Sequence, residues 1–352
     1  MIMMKMIKLS KMLAVTVAVA MTATLSSCRK DLCYNHFRTA SVALSWEHEW
    51  ERDYGMAHAT TWDAAFHGRE YGDLRPTLPE GVTMITYSSE ANPRETFMSN
   101  AGQDINLGEP GEHSLLFYNN DTEYIVFSDM ASLTEARAST TSRSRSTLAY
   151  ITSLYPEVRS SNPPDILYAA YTDELPAIGL HESTPMPVKM QPLVYTYVIR
   201  YEFEHGLNNV ALARGALAGM AESVYLRTGV TSEESAIILY DCDKTAYGCE
   251  ALVRSFGVPG FPDEYYGRAP MARADRPYTL NLEVRLTNGK IIEFNYDIAD
   301  QIEKQPRGGV IRITGIRIED EDSAITPGSA FDVTVDDWGE HEDIDLPVGV
   351  KK

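Results

Sequence analysis

The sequence predicts an all-β protein with one β-sandwich in each half. Three observations carry this. Short runs rich in Val, Ile, Thr and Tyr recur along the chain between turn signals, and 20 of the 352 residues are tyrosine. Alternation of apolar and polar residues recurs, while helical periodicity is nearly absent. Hydrophobic content is 44%, enough for globular packing, yet no run beyond the first residues is long enough to span a bilayer. Setting aside a leader leaves 352 − 27 = 325 residues, more than one typical core, so two domains are expected.

The leader comes first. Lys5, Lys8 and Lys11 precede an apolar run from Met12 to Met21, and Leu25-Ser26-Ser27-Cys28 follows. A charged segment, a short apolar segment and small residues make a secretory signal. The apolar run is about half of the roughly 20 residues that a membrane-spanning helix needs. The cysteine after Leu-Ser-Ser resembles that of a bacterial lipoprotein signal. The resemblance implies cleavage before Cys28 and lipidation of its thiol with palmitate-type chains. It also implies anchorage in the cell outer membrane and leaves open which face of that membrane the chain occupies. At least two acyl chains make such an anchor durable.

The expected division is a signal peptide at 1–27, a lipidated tether at 28–38, an N-terminal sandwich at 39–188 and a C-terminal sandwich at 189–352. Residues 1–27 hold three lysines and no acid, so the mature formal charge is −19 − 3 = −22. An acidic surface repels phosphate backbones, which argues against a nucleic-acid partner.

In the first half, Val42, Leu44 and Trp46 share one face of a strand. A polar, aromatic insertion follows from Glu47 to Asp73. Gly81–Tyr87 reads as a strand, and Thr96–Met98 and Gln103–Leu107 as short edge-like pieces. His113–Tyr118 and Glu123–Phe127 read as strands flanking a polar turn. Ala138–Thr147 is a low-complexity basic stretch, expected as an exposed loop open to proteases at Arg137, Arg143 and Arg145. Ile166–Tyr171 is another strand. Ser183–Pro192, with Pro185, Pro187 and Pro192, is expected to mark the domain boundary.

The second half is more regular. Leu193–Glu204 alternates strictly, with Tyr195, Tyr197, Ile199, Tyr201 and Phe203 on one face. Asn209–Leu217 and Ser223–Arg227 read as strands joined by 218–221, although the alanines also allow a helix that Gly215 and Gly219 weaken. Ile237–Cys242 is a strand. Tyr278–Thr287 and Lys290–Tyr296 flank Asn288-Gly289, a two-residue hairpin signal requiring positive φ at both positions. Asp297–Gln305 suggests a short helix capped by Asp297, with Ile298 and Ile302 inward. Val310–Ile318 and Phe331–Val335 are the last strands.

Several stretches resemble a known family. They are Leu115–Ile125, Asn162–Tyr168, Ala213–Ala221, Ile238–Cys242 and Val335–Trp338, together with Cys28-Arg29-Lys30-Asp31-Leu32-Cys33. The chain is similar to an uncharacterised Bacteroides lipoprotein family related to fimbrillin-like and fimbrial anchor subunits. The resemblance implies two tandem transthyretin-like β-sandwiches and fimbrial subunits as partners. Stalk subunits of that kind lose their lipidated leader and polymerise by donated strands, whereas anchor subunits keep the lipid. Ile344-Asp345-Leu346-Pro347-Val348 alternates suitably for a donated strand, with a surface tail as the alternative.

Candidate sites are few. Cys242 and Cys249 are spaced for a tight disulfide loop, which would stabilise by about 2.5 kcal/mol; two reduced, buried cysteines are the competing reading. Glu47-His48-Glu49 lacks metal-site spacing, and the acidic runs 319–322 and 336–343 lack a calcium-loop pattern, so no metal is assigned. No nucleophile elbow, phosphate loop or dinucleotide fingerprint occurs, so no catalytic residue and no cofactor is assigned, and the protein is read as a non-enzyme. Trp46, Trp50, Tyr54, Trp62, Phe66 and Tyr71 could form a sugar-stacking surface centred on Trp50 and Trp62, or cap the first sandwich. The leading reading is an accessory or anchor-like fimbrial subunit, and the alternative is a glycan-binding surface lipoprotein.

Overall fold

The computed structural model describes residues 39–47, 77–88, 92–107, 113–144, 155–173, 175, 183–262 and 278–323. Its first half holds β1 (Thr39–Trp46), β2 (Gly81–Ser88), β3 (Arg94–Ser99), β4 (Asp104–Asn106) and β5 (His113–Asn119). Then follow β6 (Ile125–Ser128), β7 (Arg137–Thr140), β8 (Arg159–Ser161), β9 (Tyr168–Thr172) and β10 (Thr184–Pro192). Seven of these form one curled sheet in the order β3-β2-β5-β9-β10-β1-β4. β10 belongs to both of its layers. It runs parallel to β1 from Thr184 to Met190, then pairs antiparallel with β9 at Gln191 and Pro192. The enclosed core includes Val42, Met84, Phe117, Tyr168, Met186 and Met190. Trp46 lies edge-on to Tyr168 at 5.0 Å and donates its indole N–H to the Asn100 carbonyl. It is partly buried and packs against this core, whereas Trp50, Tyr54, Trp62, Phe66 and Tyr71 lie outside the described residues.

The proline-rich stretch expected as a boundary is a strand. Met186, Val188 and Met190 point inward, while Pro185, Pro187 and Lys189 point outward. The Glu47 N–H donates to the Met190 carbonyl at 3.0 Å, so even-numbered residues direct their peptide groups at β1. Pro185 and Pro187 direct theirs away, and their missing N–H groups cost the β1–β10 ladder nothing. The 188/189 division thus falls inside β10, whose pairing with the first sheet continues to Pro192.

The second half holds β11 (Tyr195–His205), β12 (Val210–Ala221), β13 (Ser223–Tyr225), β14 (Ser235–Lys244) and β15 (Gly248–Ser255). β16 (Thr279–Leu286), β17 (Ile291–Asp297) and β18 (Gly309–Arg317) complete it, with two single-turn helices, α1 (Ala299–Ile302) and α2 (Asp320–Ser323). The sheet order is β17-β16-β12-β14-β15-β11-β18, and β8 adds to β14. Here β14 serves both layers, pairing with β12 and then with β15 at Asp243 and Lys244. Tyr197, Ile199, Leu217, Ile238, Leu282 and Ile311 fill the core between them. The molecule is all-β, with two curled sheets forming tandem β-sandwiches.

The alanine-rich segment is strand and not helix, because both its faces are covered. Ala213 and Leu217 face the core, while Ala216 and Ala218 lie under Tyr155 and Val158. Gly215 leaves room for the Tyr240 ring, which a Cβ there would meet at 2.5 Å. The Asn288-Gly289 hairpin forms with a different turn from that expected. Only Gly289 has positive φ, at 84°, and the Leu286 N–H donates to the Lys290 carbonyl. The loop thus has three residues ending in a left-handed glycine, so Asn288 needs no strained backbone. The predicted helix shrinks to α1. Asp297 accepts from the Ala299 N–H at 2.9 Å, and Ile298 and Ile302 are buried.

A third sheet, β13-β7-β6, lies at the seam between the sandwiches and pairs strands from both halves. Ile85, Leu116 and Ala138 pack there with Leu193, Val224 and Phe256. This corrects the expected exposed loop at 138–147. Its first residues belong to β7, with Ala138 and Thr140 buried because small side chains fit the seam. Arg143 reaches Asp241 at 3.0 Å and the Leu239 carbonyl at 3.0 Å, and its side chain is 12% exposed. Arg145 lies outside the described residues.

Candidate functional site

The feature best suited to hold a ligand is a cleft where two strands of one sheet part. β9 and β10 pair only at Ala169–Gln191 and Tyr168–Pro192. Beyond that point they diverge and leave a cavity of about 690 Å³. One wall is β9 from Ala169 to Thr172, and the other is β10 from Pro185 to Lys189. The segment after β13, Leu226 to Gly229, forms the third side, with Leu193 beside it. The volume lies within the range of small-molecule and oligosaccharide pockets.

The polar groups of the cleft follow from strand alternation. Peptide groups at odd positions of β10 face β9, as shown by the 2.8 Å bond from the Leu193 N–H to the Leu167 carbonyl. The carbonyls of Pro185 and Pro187 therefore point into the opening with no accompanying N–H. The Arg227 guanidinium lies over the Tyr171 ring at 4.8 Å. Among the described residues it makes no hydrogen bond and no ion pair. Lys189 is engaged by Glu47 at 2.7 Å, and the Tyr171 hydroxyl donates to Asp173 at 3.2 Å.

Of the residues singled out from sequence, Cys28, Trp50 and Trp62 lie outside the described residues. Cys242 and Cys249 are both free thiols at the corner where β14 and β15 separate, so the expected bridge is not made. Cys249 pairs across from Lys244, which puts Cys242 on its diagonal. Diagonal side chains stand about 7–8 Å apart, beyond ordinary disulfide reach. Burial pushes the Cys249 thiol up to about 11. The Cys242 thiol is raised first by burial, then by Cys249, Asp241 and Asp243. Neither is poised as a nucleophile. In the acidic run 319–322, Glu319 pairs with Arg317 and Asp322 with Lys290, and Asp320 shares a hydrogen bond with His205 at 2.9 Å.

Two of the stretches that carry the family resemblance have a structural role. Asp165 accepts from the backbone N–H groups of Glu123, Tyr124 and Ile125. Asn119 donates to the Ile166 carbonyl and accepts from the Tyr168 N–H. The stretches Leu115–Ile125 and Asn162–Tyr168 are thus locked together. Sequence reading missed Arg227 and Tyr171, which are 56 positions apart and carry no local pattern. The Pro185-x-Pro187 spacing was the one visible signal of the cleft.

Comparison with known proteins comes last. No curated protein matches the chain. A crystal structure of a candidate adhesin from Bacteroides ovatus matches with a TM-score of 0.54 at 19% identity, covering 80% of this chain and 93% of that one. The fimbrial anchor protein Mfa2 from Porphyromonas gingivalis gives a TM-score of 0.45 at 10% identity, covering 81% and 94%. A second candidate adhesin from Bacteroides ovatus gives 0.45 at 10% identity, covering 78% and 88%. The first likeness shows a shared fold. Residues 70–241 match the model of DUF5119, a domain of unknown function.

Proposed function

We propose that the protein is a non-enzymatic cell-surface lipoprotein, an accessory or anchor-like subunit of a fimbrial assembly. The observation that carries this is the pairing of two tandem sandwiches, a fold shared with the Bacteroides ovatus adhesin candidate, with the Leu25-Ser26-Ser27-Cys28 leader. Lipidation at Cys28 would hold the chain in the outer membrane and leave both sandwiches free to meet other subunits. Burial of the two thiols, which raises both pKa values, suits a scaffold.

Two measurements test the reading. Palmitate incorporation into the expressed chain should disappear on Cys28→Ala; labelling that persists would remove the anchor. Affinity purification from native outer membrane should retain fimbrial subunits, and their consistent absence would overturn the assembly role. Glycan binding through Trp50 and Trp62 is a second reading at the level of sequence only.

A further inference from the structure

We propose that the cleft between β9 and β10 binds a carboxylate-bearing saccharide, with Arg227 as its carboxylate contact. This goes beyond the fimbrial reading and does not depend on it. The argument starts from charge. The chain carries 50 acidic residues against 31 lysines and arginines. Arg227 is half-buried in a cleft wall and still makes no ion pair or hydrogen bond among the described residues. Its guanidinium rests on the Tyr171 ring, which fixes its position without using its donors. A planar fork of N–H groups held in this way matches a carboxylate.

The opposite wall decides the class of ligand. An extended peptide laid between two strands needs both donors and acceptors from each edge. β10 offers the carbonyls of Pro185 and Pro187 and no N–H at either position. The wall therefore resists an added strand, as proline does on natural sheet edges. Sugar hydroxyls are donors that pair with lone carbonyls and need no ladder. A cation on one wall and a row of acceptors on the other fits an acidic sugar better than a peptide. The volume of about 690 Å³ accommodates a few sugar rings.

The test is titration calorimetry on the full-length chain with three probes: a galacturonic acid trisaccharide, the neutral galactose trisaccharide, and an extended acidic hexapeptide. The acidic trisaccharide should bind, and the other two should bind at least about tenfold more weakly. Arg227→Gln should weaken the acidic trisaccharide about tenfold while the thermal unfolding curve stays in place. Arg227→Lys keeps the charge and loses the fork, so it should fall between the two, and it serves if the glutamine variant fails to fold. Lack of binding by the acidic trisaccharide, equal binding of its neutral counterpart, preference for the peptide, or indifference to both Arg227 variants would each overturn the proposal.

Discussion

The two sandwiches share a plan and differ in how completely they close. Each is a sheet path in which one strand serves both layers, β10 in the first and β14 in the second. Each also contains parallel pairing, β1 with β10 in the first and β11 with β18 and β8 with β14 in the second. In the second, β14 stays zipped to β12 from Cys242 to Ser235 before it turns the corner to β15. In the first, β10 leaves β9 after two residue pairs. The cores differ in the same sense. The first holds Met84, Met98, Met186 and Met190. The second relies on Leu280, Leu282, Val284, Ile311 and Ile313, with Met220 as its one buried methionine among the described residues. Flexible thioether side chains tolerate an incomplete sheet, whereas branched aliphatics demand fixed packing. The open half is the one able to receive a ligand.

This contrast can be broken experimentally. Leu282→Ala, at a fully buried position on β16, should cost about 4 kcal/mol in urea unfolding. Met84→Ala, equally buried on β2, should cost about 2.5 kcal/mol because neighbouring methionines can relax into the space. Equal losses would remove the distinction between the cores.

The next effect concerns the lock inside the first half. Asp165→Ala strands three backbone N–H groups near the turn before β6 and should destabilise by about 2–3 kcal/mol. Asp165→Asn keeps the shape and one acceptor and should cost less; an equal cost would mean that the carboxylate charge, and not the shape of the side chain, carries the lock.

The thiols give a sharper comparison of closure. With both thiol pKa values raised by burial, alkylation at pH 7.5 should leave Cys242 and Cys249 unlabelled in the folded protein and label both after unfolding. Mass spectrometry after denaturation decides this. A pair that stays unlabelled even when unfolded would mean that the bridge forms after all.

The smallest expected effect lies at the open edge of the second sandwich, where Glu202 on β11 holds Arg312 on β18 at 2.7 Å. The hydrogen bond from Arg312 lowers the Glu202 pKa. A lowered carboxylate stabilises the fold above its unfolded pKa and loses that contribution as pH falls through the folded value. Glu202→Gln should therefore cost under about 1 kcal/mol at pH 7 and nothing at a pH below the folded pKa. A pH-independent cost would mean that packing, not charge, ties β18 to β11.

Much of the second half was legible because alternation reports a strand with one face in a core. Tyr195 to Phe203 and Tyr278 to Leu286 are strands as their alternation predicts, although Val198, Arg200, Asn281 and Glu283 on the opposite faces are buried too. The legibility ends where alternation is lost or where burial depends on strands from both halves. Ala213–Ala221 carries alanines because Tyr155 and Val158 cover its outer face, a contact across more than fifty positions. Ala138 and Thr140 read as loop residues because their burial depends on strands from both halves meeting at one seam. Pro185 and Pro187 read as punctuation because local sequence does not show which edge of a strand has a partner.

The sequence by itself determined the fold class, most strand positions, the acidic surface and the resemblance of the Cys28 leader to a lipidation signal, since each rests on residues close together in the chain. Tertiary structure alone decided that β10 spans two layers, that β9 and β10 part, and that Arg227 comes to rest on Tyr171 without an acidic partner among the described residues. The reason is physical. Alternation sets which way a side chain points, but pairing between distant strands sets which peptide groups and charges are left unmatched, and a binding site is made of those.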